Sequence, residues 1–240
     1  MEIRIGIAKT AKRNADESAD TVLIVERPTG GGYSVILCNG TINGQDSKNV
    51  SFLSGNKISS LISEGVRDST AIRATSDHLF TTYSGQAQSE LNVVSVDLIT
   101  STIVISRNNP HPIYCYQRGN FIEWTNDSQP IGFSKHIQPS ISEIDIEPGT
   151  IIALVTHGVH NAGLAYGSQI DIPMLIQSMI EDDNATSAQE IADFILNQAI
   201  QYDQSHPLHD MSVVIIRVLD EYSGCIRRFS YFLPIQCPLD

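Results

Sequence analysis

The sequence predicts an α+β domain built as a four-layer αββα sandwich, two packed antiparallel sheets flanked by helix pairs. Three observations carry this expectation. Short apolar runs follow one another across tight turns, which favours hairpins and meanders over alternating βαβ units. Helical periodicity is confined to two paired blocks, residues 50–83 and 171–202. Several strand segments are apolar on both faces and need cover on both sides.

Ile3, Ile5 and Ile7 alternate with Glu2, Arg4 and Gly6, the pattern of a strand with one wet face. A polar stretch from Lys9 to Ala19 leads to Asp20 and a strand over 21–26. The run Arg27-Pro28-Thr29-Gly30-Gly31-Gly32 is a turn on its residues alone and feeds a strand over 33–38. Residues 41–46 read as a loop. Val50, Leu53, Ile58, Leu61 and Ile62 then recur at a helical period. A second helix is expected over 66–83, with Val66, Ile72, Leu79 and Phe80 inside and Gly85 as its stop.

Strands resume at 92–98, 102–107, 112–118 and 121–126, joined by short links such as Arg118-Gly119-Asn120. Glu147-Pro148-Gly149 turns into the apolar run that begins at Thr150. Asp171 is placed to cap a helix whose Pro173 suits the first turn. Ser187-Ala188-Gln189-Glu190 has the form of a capping box, opening a helix with Ile191, Phe194, Ile195, Ala199 and Tyr202 on one stripe. A strand over 211–219 follows, and 225–235 is a candidate for one more. The expectation is a single domain over 1–240.

Composition excludes several classes of function. Lys and Arg number 15 against 27 Asp and Glu, a net charge of −12. That sign opposes binding to nucleic acid and to an anionic membrane surface, both of which rely on basic patches. The basic residues gather only as Lys9-Lys12-Arg13 and Arg227-Arg228. No apolar run is long enough to span a bilayer, and the first residues lack the form of a signal peptide. Cys38, Cys115, Cys225 and Cys237 have no paired spacing. These features describe a reduced, cytoplasmic protein.

Three apolar strands end or begin on polar groups: Asn39 after 33–38, His157 after 151–155, and His209 before 211–218. Asp20 stands beside Asn39 if 21–26 and 33–38 form a hairpin, because antiparallel neighbours reverse direction. Four polar side chains are therefore expected to meet where the strands pack.

The order of these segments resembles the metal-dependent type 2C (PPM) Ser/Thr protein phosphatases, in their stage II sporulation E and stressosome-type bacterial branch. Ser18-Ala19-Asp20 is similar to that family's Ser-Gly-Asp, and Cys38-Asn39-Gly40-Thr41-Ile42-Asn43-Gly44 to its Asp-Gly-x-Gly-x-Gly. Asn109-Pro110-His111-Pro112 resembles Asn-Ala-Gly-His-x-Pro, Pro130-Ile131-Gly132 resembles Pro-Leu-Gly, and Glu147-Pro148-Gly149-Thr150 resembles Pro-Gly-Asp. Thr156-His157-Gly158-Val159 stands for Thr-Asp-Gly-Val, and His209-Asp210-Met211-Ser212 for Asp-Asp-Met-Thr. The resemblance runs from Asp20 to Val218.

The resemblance implies hydrolysis of phosphoserine or phosphothreonine by Mn²⁺ or Mg²⁺ ions that position an attacking water. It also implies a phosphorylated regulatory protein or an anti-sigma-type partner. Its metal positions fall on Asp20, Asn39, Gly40, His157 and His209, with Asp210 and His160 as neighbouring binding candidates. Hard cations want carboxylate oxygen, and three of these positions have lost it. Three readings stay open on the sequence. One is a pseudophosphatase that binds a partner with little or no metal. Another is an active phosphatase using a single transition metal on Asp20, His157 and His209, with an amide oxygen from Asn39. In the third, the resemblance is architectural and the pocket structural.

Overall fold

A computed structural model describes residues 1–29, 31–125, 127–181, 187–221 and 224–232. In chain order the elements are β1 (Glu2–Thr10), β2 (Thr21–Glu26), β3 (Tyr33–Ile42), β4 (Gln45–Asp46), α1 (Lys48–Ser63), α2 (Asp68–Tyr83), β5 (Ala87–Asp97), β6 (Thr102–Asn108), β7 (Ile113–Gln117) and β8 (Asn120–Trp124). They continue with β9 (Ser140–Asp145), β10 (Ile151–Val155), α3 (His157–His160), α4 (Ile172–Glu181), α5 (Ala188–Tyr202) and β11 (Met211–Leu219).

Among the described residues, one sheet runs β1-β11-β10-β7-β8 and the other β2-β3-β5-β6-β9, with β4 paired to β3. All the pairings are antiparallel. Three apolar layers hold the stack together. The middle one joins the sheets through Val35, Val94 and Ile105 on one side and Ile152, Leu154 and Val214 on the other. A second layer seats α4 and α5 on the first sheet through Ile176, Ile191, Ile195 and Ile215. The third seats α1 and α2 on the second sheet through Ile36, Ile58, Ile72 and Leu91. Residues apolar on both faces thus lie where both faces are covered.

Local signals set several boundaries. Ser187 accepts the Glu190 amide at 3.1 Å, and Glu190 in turn accepts the Ser187 amide at 2.9 Å, so the capping box forms. Asp171 caps α4 by accepting the Met174 amide at 2.9 Å. Arg27 and Gly32 close the β2–β3 turn through their backbone, with residue 30 outside the described residues.

Other expectations need correction. β3 continues through Asn39 to Ile42, so Asn39 lies inside a strand. The pairing with β5, which itself starts earlier at Ala87, extends β3, and the Asn39 amide group does not interrupt the ladder. The helices begin at Lys48 and Asp68, and Phe80 is half-buried beneath the Lys135 ammonium. Strand β9 was not foreseen; it is an edge strand whose Ile141 faces solvent, which weakens its apolar signal. His157 starts a short helix, α3, where a loop was expected. Residues 225–232 form no strand, while 233–235 and Cys237 lie outside the described residues.

Leu154 is fully buried on β10, between β7 and β11, and packs in the layer that joins the two sheets. Leu154→Ala is expected to lower unfolding free energy by about 3 kcal/mol, measured by urea denaturation. A change below about 1 kcal/mol would show that the layer re-collapses around the gap.

Candidate functional site

Asp20 connects the two sheets. It leads directly into β2, and its carboxylate Oδ2 accepts the hydroxyl of Ser212 on β11 at 2.7 Å. Thr156, at the end of β10, also favours the charged carboxylate by hydrogen bonding. Its hydroxyl oxygen meanwhile accepts the Ser212 amide at 2.9 Å. Asp20 has no solvent exposure, and its Oδ1 has no hydrogen-bond partner. Burial therefore dominates and pushes the carboxyl up to about 6.

Two ammonium groups meet at the same residue. Lys9 on β1 and Lys48 at the start of α1 both donate to the Asp20 carbonyl, at 3.0 and 2.5 Å. Lys48 also reaches the Thr21 hydroxyl at 3.2 Å. Burial and then the neighbouring Lys48 charge lower the Lys9 pKa, while Asp20 and Asp210 oppose that shift. Lys12 pairs with Asp46 of β4 at 2.6 Å.

Asp210 is committed elsewhere. Its two carboxylate oxygens accept the backbone amides of Lys12, at 2.8 Å, and Ala19, at 2.7 Å, clamping the ends of the polar segment between β1 and β2. Asp16 and Glu17 on that segment are exposed. The Gly40 carbonyl accepts the Ser47 amide at 2.7 Å. A Cβ at Gly40 would lie 2.3 Å from the Ser51 nitrogen, so only glycine lets α1 start this close to β3.

The histidines form a second group beside the first. A Cβ at Gly158 would sit 2.2 Å from the Asp210 carbonyl oxygen. Glycine there lets the turn after β10 press against the segment entering β11. The rings of His157 and His209 are consequently 4.8 Å apart, nearly perpendicular. His111 Nε2 lies 3.0 Å from His157 Nδ1, and the His111 and His160 rings are 4.9 Å apart. Asn161 reaches His157 Nδ1 at 3.1 Å, and the Tyr114 hydroxyl lies 3.0 Å from His160 Nδ1.

His111 is held by its own loop. Its amide donates to the Asn109 side chain at 2.9 Å, and its carbonyl accepts the buried Arg107 guanidinium at 3.0 Å. Glu90 faces it, with Oε1 3.9 Å from His111 Nε2. The two do not form a charged pair near neutral pH. Burial drives His111 down to about 4, helped by His160 and His157, while burial lifts Glu90 to about 7, helped by Asp20 and Asp46. Burial likewise lowers His157 and His160, so these imidazoles are neutral at pH 7.

The structure therefore brings His157 next to His209, and Asp20 next to Thr156, the residue before His157. Asn39 lies directly opposite Glu90 in the β3–β5 register. Among the described residues, no three His, Cys, Asp or Glu side chains are placed to hold one metal ion. The sequence pointed to no role for Lys9, Lys48 or Glu90, and it gave His111 only as part of the Asn109-Pro110-His111-Pro112 motif. The cluster Lys9-Lys12-Arg13 was visible as the one basic group near Asp20. The pairing of Glu90 with Asn39 has no sequence signature, because it arises from strand register.

Comparison with known proteins places this geometry. The family model described as "Stage II sporulation protein E (SpoIIE)" matches residues 29–219. A comparison with curated proteins found no match. Among solved structures, the PP2C phosphatase domain of SpoIIE from Bacillus subtilis, with a fragment of its regulatory domain, is 17% identical. It superposes with a TM-score of 0.77, covering 91% of this chain and 63% of that one. This chain thus spans less than two thirds of that structure. A serine/threonine phosphatase of S. agalactiae gives a TM-score of 0.70 at 14% identity, covering 90% of this chain and all of that one (100%). The catalytic domain of the serine/threonine protein phosphatase PstP, solved in complex with two manganese ions, gives 0.68 at 12% identity, with coverages of 91% and 99%.

The fold is that of a PP2C-type Ser/Thr phosphatase domain. The chain belongs to the stage II sporulation protein E (SpoIIE) family.

The family's metal pair is a poor fit to these residues. Two divalent ions bring four positive charges, and hard cations want several carboxylates. Asn39, His157 and His209 supply no carboxylate, each oxygen of Asp210 already accepts a backbone amide, and the Gly40 carbonyl accepts the Ser47 amide. Among the described residues, only Asp20 Oδ1 and Glu90 Oε2 remain as buried carboxylate oxygens without a partner. Asp20 already has two ammonium groups on its own carbonyl.

The two buried acid–base groups carry opposite pH signatures. Glu90 has its folded pKa raised from 4.5 to about 7, so the folded chain holds the extra proton and this group's stabilisation is lost as pH rises through that window. His111 has its folded pKa lowered from 6.5 to about 4, so its contribution is lost as pH falls through that window. Glu90→Gln removes the first effect and leaves the second. Urea denaturation between pH 7 and 4.5 is expected to show the variant losing stability on acidification relative to wild type, by at most about 3 kcal/mol. Parallel profiles would show that Glu90 ionises normally.

Proposed function

We propose that this chain is a pseudophosphatase of the SpoIIE family, which keeps the PP2C fold and binds a phosphorylated regulatory protein or anti-sigma-type partner without hydrolysing it. One observation carries the reading. The positions expected to hold Mn²⁺ or Mg²⁺ carry Asn39, His157 and His209; of the nearby carboxylates Asp210 accepts two backbone amides, Asp20 has two lysines on its carbonyl, and Glu90 is held partly protonated near pH 7 by burial. A bridging, metal-activated water needs several anionic ligands that share two cations, and among the described residues of this set only Asp20 and Glu90 keep an unpartnered carboxylate oxygen, each with its pKa raised by burial. The neutral imidazoles of His111, His157 and His160 offer no charge in exchange.

Family membership favours a protein partner, since the net charge of −12 opposes nucleic acid and anionic lipid. Among the described residues, no helix is long and apolar enough to cross a membrane. Cys38 and Cys115 are buried thiols without disulfides, which supports a cytoplasmic setting.

The purified chain, given excess Mn²⁺, is expected to show no turnover of p-nitrophenyl phosphate or of a phosphoserine peptide above the protein-free rate. Metal-dependent turnover abolished by His157→Ala would instead make it an active phosphatase with an atypical His/Asp site.

A further inference from the structure

We propose that the ammonium groups of Lys9 and Lys48 are the resident cations of this seam, taking the place that metal ions hold in the fold and keeping divalent ions out. The inference shares the donor-set mismatch with the function proposed above, but it concerns what neutralises the site and does not depend on whether the chain hydrolyses phosphate.

The geometry is specific. Lys9 comes from β1 of one sheet and Lys48 from α1, which covers the other, yet both nitrogens close on one carbonyl oxygen, that of Asp20. Lys48 bonds the Thr21 hydroxyl as well, so its position is held by two acceptors. The adjoining carboxylate of Asp20 is fully buried with one oxygen unpartnered. A buried carboxylate needs compensating positive charge or donors. Ser212 and Thr156 supply donors, Lys9 supplies charge, and Lys48 adds its ammonium at the neighbouring Asp20 carbonyl.

Lysine differs from a metal ion in ways that matter here. It is a point charge with three donors, fixed to the chain, and it does not lower the pKa of a bound water as a divalent metal ion does. It also repels an incoming divalent cation, and like charges brought together cost several kcal/mol. Restoring carboxylates at the three altered positions would then be insufficient to rebuild a metal centre, because the cations already present would remain.

Isothermal titration of Mn²⁺ into the full chain tests this. Three proteins are compared: wild type, the triple variant Asn39→Asp/His157→Asp/His209→Asp, and that triple combined with Lys9→Met and Lys48→Met. Methionine keeps the apolar stem and removes the charge. The five-fold variant is expected to bind Mn²⁺ at least about tenfold more tightly than the triple. Equal affinity of the two, or tight stoichiometric binding by wild type, would overturn the proposal.

Lys9→Arg and Lys48→Arg in the triple background should leave Mn²⁺ binding as weak as in the triple itself. If arginine releases binding as methionine does, charge is not the cause and the idea falls. Should the five-fold variant not fold, Lys9→Met alone in the triple background carries the comparison, since Lys9 is the more exposed of the two lysines. A turnover assay on wild type reports separately on hydrolysis, so loss of one reading leaves the other standing.

Discussion

The structure depends on a buried carboxylate at the seam between two sheets. Asp20 is held by a hydroxyl from β11 and approached by lysines from β1 and α1, so elements of both sheets and a covering helix converge on one residue. A charge in that position is expensive unless paired and hydrogen-bonded. Burial still raises its pKa to about 6, which shows that compensation is incomplete.

Around this residue the site divides into two chemistries. One end is ionic, with Lys9, Lys12 and Lys48 set against Asp20, Asp46 and Asp210. The other is a stack in which the buried, neutral His111 and His157 meet edge to face, His160 lies tilted against His111, His209 packs edge-on to His157, and Glu90 is half-protonated near pH 7. Neutral imidazoles packed this way avoid the repulsion that charged ones would feel, and burial holds them neutral. Both ends avoid unbalanced charge, and neither offers the set of shared anions that a pair of hard cations needs.

Much of the architecture was legible in the residues. Turn chemistry at 27–32 and 118–120, the capping box at Ser187 and the apolar runs gave the hairpins, the meander and the helix pairs. Edge strand β9 escaped because one of its isoleucines, Ile141, faces water and its apolar stripe is thin. Asn39 was placed after a strand because an amide side chain resembles a strand end, yet pairing with β5 carries β3 three residues further. Of the site, the nearness of His157 to His209 was readable from motif order, whereas the roles of Lys9, Lys48 and Glu90 were not. Each sits on a different element, and no local pattern connects them.

The sequence alone determined the layer order, the family resemblance and the absence of carboxylates at three key positions, because these follow from periodicity and residue identity. Tertiary structure decided what fills the charge deficit and which groups ionise. Those properties depend on distances between residues far apart in the chain: Lys9 and Lys48 reaching one carbonyl, Asp210 spending its oxygens on two amides, Glu90 buried opposite Asn39. Electrostatic energy depends on separation and burial in space, and neither is written in the order of residues.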